Sequence, residues 1–79
     1  MQNIVGAFDL IPGLVVELLG QPAIVTAIDL DCDREVNTVT VNTPHGDHTL
    51  ALSWAEPDAI RVIGVSQGMS PDNITLFDR

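Results

Sequence analysis

Prolines and glycines interrupt this chain every few residues, and the runs between them carry apolar side chains at alternate positions. Such punctuation leaves room for strands and tight turns and none for a long helix. Pro12-Gly13 precedes Leu14-Val15-Val16-Glu17-Leu18-Leu19, and Gly20-Gln21-Pro22 closes that run before Ala23-Ile24-Val25-Thr26-Ala27-Ile28. These read as the first two core strands. In the second, strand geometry predicts Ile24, Thr26 and Ile28 on one face and Ala23, Val25 and Ala27 on the other. Neither set is strongly polar, so both faces are expected to be covered. Asp29 to Glu35 reads as a charged connection. Val36 to Asn42 is rich in β-branched residues, with Val39 and Val41 pointing inward. Thr43-Pro44-His45-Gly46-Asp47 has hairpin chemistry, because Pro presets φ and Gly accepts the positive φ of a tip. The return strand, His48 to Trp54, places Leu50, Leu52 and Trp54 on its core side. Glu56-Pro57-Asp58-Ala59 predicts a single 3₁₀ turn, Pro57 being suited to a first helical position. Ile60 to Gly64 then reads as a strand and Ser66 to Asn73 as a loop. Ile74 to Phe77, and the first dozen residues including Ile4-Val5 and Phe8, supply candidate extra strands at the two ends.

The chain is 79 residues long. One domain, residues 1–79, is all that this length accommodates, and a domain so small buries only about 60% of the surface its unfolded chain exposes. Aromatic residues are few (Trp54, Phe8, Phe77, no Tyr), so aliphatic side chains must fill the core. Cys32 is the sole cysteine, and no positively charged segment precedes an apolar stretch near Met1; a reducing cytoplasm is the expected location. The run Leu10 to Leu19 contains Pro12, Gly13 and Glu17 and is far shorter than the roughly 20 residues a membrane helix needs, so a soluble protein is expected.

Five short strands with a charged connection after the second, a tight hairpin between the third and fourth and a 3₁₀ turn before the fifth make an all-β pattern. Its residues are Gly13-x-Val15-x-x-Leu18-x-Gly20-x-Pro22-x-x-Val25 and Trp54-x-x-Pro57-x-x-Ile60-x-Val62-Ile63. Over residues 13 to 63 the pattern resembles Src-homology-3-like small barrels, including KOW-type and related bacterial barrels. The resemblance implies a five-stranded barrel scaffold. It implies neither proline-rich peptide binding, for want of an aromatic groove, nor nucleic-acid binding, for want of basic strand and loop residues.

Function is constrained most by charge. Eleven acidic side chains face three basic ones, with no lysine, for a net charge of −8. Phosphate backbones need Lys and Arg to displace their counterions, so direct nucleic-acid binding is disfavoured and a basic protein surface is the expected partner. Asp29, Asp31, Asp33 and Glu35, offset by Arg34 alone, are the candidate contact residues. The three aspartates also match the first three positions of a calcium loop. The sixth position is Arg34 where glycine is needed and the twelfth is Thr40 where a bidentate Glu belongs, so no metal is expected there. His45, Asp47 and His48 lack further ligands nearby and read as an exposed hairpin tip. Cys32 lies between Asp31 and Asp33, whose field opposes a thiolate nucleophile. With no nucleophile, base or metal set assembled by spacing, neither catalysis nor a cofactor is expected. The leading reading is an acidic binding protein that occupies the basic face of its partner. Its size and charge are similar to those of nucleic-acid-mimicking inhibitors of phage or mobile-element type. The alternative is an assembly module whose terminal strands pair across a homodimer, with Val15 and Leu19, both assigned to the Glu17 side of their strand, as a second contact face.

Overall fold

The computed structural model describes residues 4–77. Met1 to Asn3, which belong to the expected amino-terminal strand, lie outside the described residues. The protein is all-β, with strands β1 (Ile4–Val5), β2 (Leu14–Leu18), β3 (Gln21–Asp31), β4 (Val36–Thr43), β5 (Gly46–Ser53), β6 (Ile60–Ser66) and β7 (Ile74–Leu76). Every pairing is antiparallel, in the order β1-β6-β2-β3-β4-β5, with β7 also paired to β6. No ladder among the described residues joins β5 back to the other end, so the sheet is open.

Alternation in the sequence becomes a two-faced sheet. Val16, Ala23, Val25, Val39, Val41, Leu52 and Val62 are buried on the inner face, with Ile28, Leu50 and Trp54 packed against them. Complete burial of each such valine contributes roughly 1.5–3 kcal/mol, which is how a core without large aromatic rings holds together. Val15 and Ile24 are buried as well, but they lie opposite each other on the outer face. Behind them the chain returns through 3₁₀ turns at Gln67–Met69 and Pro71–Asn73 into β7. The expectation that both faces of this region are covered is met by that return. Its closeness depends on Gly64, which is paired with Val15 on one side and Leu76 on the other; a Cβ there would run into the Thr75 carbonyl oxygen.

Three expectations need correction. Thr26 is an extra residue on β3, because Val25 faces Val41 whereas Ala27 faces Thr40. A bulge of this kind resets the alternation. Val25 and Ile28 therefore both turn inward, and Ile24, Thr26 and Ile28 do not share a face; the Thr26 hydroxyl donates to the Thr40 carbonyl at 3.2 Å instead. Second, residues 56–59 contain a bend at Pro57 and Asp58 rather than a 3₁₀ turn. Such a turn would direct the Ala59 N–H to Glu56, but that N–H donates to the Val5 carbonyl at 2.9 Å and starts the β1–β6 ladder. Third, Val15 and Leu19 share no surface: Val15 is fully buried, while Leu19 follows β2 in a left-handed turn (φ 52°) and is 96% exposed.

The terminal segments are anchored by a polar link. Ala7–Asp9 is a 3₁₀ turn closed by the Gly6 N–H on Asp9 Oδ2. Its Ala7 carbonyl accepts from Asn37 Nδ2 at 2.9 Å, and Asn37 Oδ1 accepts from Trp54 Nε1 at 2.8 Å. Asn37 is buried, so these two bonds replace the water it gives up.

Candidate functional site

The acidic residues gather at one end of the β3–β4 pair, but not in a loop. Asp29 and Asp31 belong to β3, opposite Thr38 and Val36, and only Cys32 to Glu35 form the turn. Strand parity after the Thr26 bulge points both aspartates to the outer face, where Thr38, Thr40, Thr49 and Ser53 surround them with hydroxyls across β4 and β5. Asp33 and Glu35 extend this negative surface around the turn. All four candidates thus share one end of the molecule.

One cation answers them locally. Arg34 Nη1 lies 3.8 Å from Asp31 Oδ2, and its backbone N–H donates to Asp31 Oδ1 at 3.2 Å. The Arg34 side chain is 69% exposed, and an ion pair at that exposure is worth well under about 1 kcal/mol. It trims the patch without neutralising it. Glu35 adopts left-handed backbone geometry (φ 54°), and its carbonyl accepts from the Trp54 N–H at 3.0 Å. The turn is therefore tied to the end of β5.

Strand pairing also removes the geometry of a calcium loop. Such a loop folds its carboxylates around one ion, whereas Asp29 and Asp31 stand on an extended backbone and project from the sheet. Among the described residues no group of three or more His, Cys, Asp or Glu side chains converges on a common point. His45 sits at the hairpin tip, while His48 shares the register row and face of Val41. Asp47 is held within its own hairpin by Asn42 Nδ2 at 2.9 Å, and the Thr43 hydroxyl closes the tip by donating to the Gly46 carbonyl. Cys32 is an exposed free thiol in the acidic turn. Among the described residues no helix is long and apolar enough to cross a membrane.

Two features escaped sequence reasoning. Asn37 was legible in part, because it shares parity with Val39 and Val41; its polarity hid its place in the core. The second is an apolar groove of about 290 Å³ on the outer face, lined by Pro22, Ile24, Asn42, Thr43, Pro44, Pro71 and Ile74. Its walls come from three separate segments, the start of β3, the end of β4 with its hairpin tip, and the entry to β7, which no local pattern brings together, and none of its lining side chains is charged. Beside the core end, Phe8 stacks on Trp54 with ring centroids 5.3 Å apart at 45°, so Trp54 spends its ring on Phe8 and its N–H on Asn37. Comparison with protein-family models, with curated proteins and with solved structures yields no match to this chain.

Proposed function

We propose that this protein is a non-catalytic acidic binding module that docks the outer face and turn of its β3–β4 hairpin onto a basic surface of another protein. The order β6-β2-β3-β4-β5 supports a Src-homology-3-like small barrel as the scaffold, although the sheet is open. One observation carries the functional reading. Asp29, Asp31, Asp33 and Glu35 meet at one end of a chain of net charge −8, with Arg34 as their nearby cation. Carboxylates spaced along a strand and turn suit an arginine-rich groove, since guanidinium forks pair with carboxylates bidentately. If that groove ordinarily takes a phosphate backbone, the protein acts as a nucleic-acid mimic and inhibitor.

The test is capture of partners from the native host's extract at low and high ionic strength, with the charge-reversed variant Asp29→Lys/Asp31→Lys/Asp33→Lys beside the parent. A partner lost both in salt and on charge reversal supports the reading, because exposed charges are screened over about 8–10 Å at physiological salt. A partner retained by the reversed variant places contact elsewhere and sinks it. The terminal-strand dimer is less well supported, since β1 and β7 are only two and three residues long and each offers too short an edge for a stable ladder.

A further inference from the structure

The full-length strand left with an open side is β5. Among the described residues it pairs with β4 alone, from Thr43↔Gly46 to Val36↔Ser53, without a single register shift. Alternate residues of an edge strand direct N–H and C=O groups away from the sheet, and proteins guard such rows with prolines, lysines, bulges or brevity. β5 has none of these. It is eight residues long, Gly-Asp-His-Thr-Leu-Ala-Leu-Ser, in a chain without lysine. From these features we propose that β5 is a self-pairing edge, through which two copies of this chain join antiparallel across a two-fold axis at Leu50.

The register follows from face and charge. Antiparallel partners share a face, so the pairing must match odd residues with odd and even with even. Centring on Leu50 uses the whole strand. It sets Leu52 against His48 on the inner face, and Thr49 against Ala51 and Asp47 against Ser53 on the outer face. No carboxylate meets a carboxylate; the only acid on the edge faces a hydroxyl. Leu52 is 9% exposed and Leu50 half-buried, so the apolar inner face already reaches this edge and would continue into the second copy. Asp29 and Asp31 lie two strands behind it. At about 4.8 Å per strand, five spacings separate β3 from its counterpart, roughly 24 Å, well beyond the screening length at physiological salt. A second copy of so acidic a chain can therefore approach here without bringing the acidic turns together.

This inference does not depend on the proposed partner, and the two respond oppositely to salt. Docking on a basic surface weakens as salt rises, whereas pairing of two net-negative chains strengthens. Light scattering over micromolar to millimolar concentrations, at low and high salt, is expected to read twice the chain mass as concentration or salt rises. Thr49→Glu/Ala51→Glu sets like charges opposite each other twice and should weaken the dimer roughly tenfold or more. Thr49→Lys/Ala51→Glu sets Lys against Glu and should restore it. Both side chains are exposed, so circular dichroism should show each variant folded. A parent that stays monomeric throughout, or a dimer indifferent to the double glutamate variant, overturns the proposal.

Discussion

The two ends of the sheet are finished in opposite ways. At the β6 end, two short terminal strands take up the ladder, and Gly64 lets β7 come within backbone contact. At the β5 end an eight-residue strand has, among the described residues, no ladder partner besides β4. A third edge lies between these extremes. β2 accompanies β3 only as far as Ile24, and past that point β3 runs on with β4 alone on one side. Asp29 and Asp31 stand on this stretch. Charged side chains on an unpaired edge discourage strand addition, so the carboxylates proposed to meet a basic partner also guard the exposed part of β3 against pairing. The lesson is that this small sheet seals one boundary with its own chain, guards another with charge and leaves a third free.

The strongest way to break this contrast is to unseal the β6 end. Gly64→Val should cost about 3 kcal/mol, because its side chain would displace the Thr75 backbone; denaturant unfolding measures the loss, and hydrogen exchange should show β7 amides opening first. Next comes the link between the two ends. Asn37→Ala strands the Trp54 indole N–H and the Ala7 carbonyl, an expected loss of about 2 kcal/mol with red-shifted Trp fluorescence as the ring becomes wetter. Smaller in stability but sharper in meaning is Asp29→Thr/Asp31→Thr. Unfolding should move by no more than about 0.5 kcal/mol, while light scattering in the Thr49→Glu/Ala51→Glu background should reveal new association through β3. Should that variant stay monomeric, the carboxylates are not guards. Arg34→Ala should be the mildest, under about 0.5 kcal/mol by thermal melting, and should slightly strengthen capture of a basic partner by unmasking Asp31.

Much of this organisation was readable from local chemistry. Thr43-Pro44-His45-Gly46-Asp47 specified the β4–β5 hairpin because Gly46 adopts φ 114° at the position where its chemistry predicts it. Val39 and Val41 turned inward as their alternation implies. The errors arose where one residue's context lay far along the chain. Nothing around Thr26 announces a bulge, since its consequence appears only against Thr40. Charge disfavours strands in isolation, which is why Asp29 and Asp31 look like part of a connection, yet pairing with Thr38 and Val36 holds them extended. Glu56 to Ala59 lost its turn to a bond with Val5, some fifty positions earlier. For the acidic cluster, composition singled out the four residues, and only the ladder could say that Asp29 and Asp31 project from a strand.

Thr26 shifts the phase of everything after it: were it paired in ordinary alternation opposite Thr40, the later half of the strand would turn over, whereas deleting it would leave Ala27 on Thr40 and every later face as it is. In that unbulged strand Asp29 would turn inward opposite the buried Asn37, and a carboxylate buried there would cost several kcal/mol. One surplus residue thus decides whether the same letters present their carboxylates to water or to the valine interior.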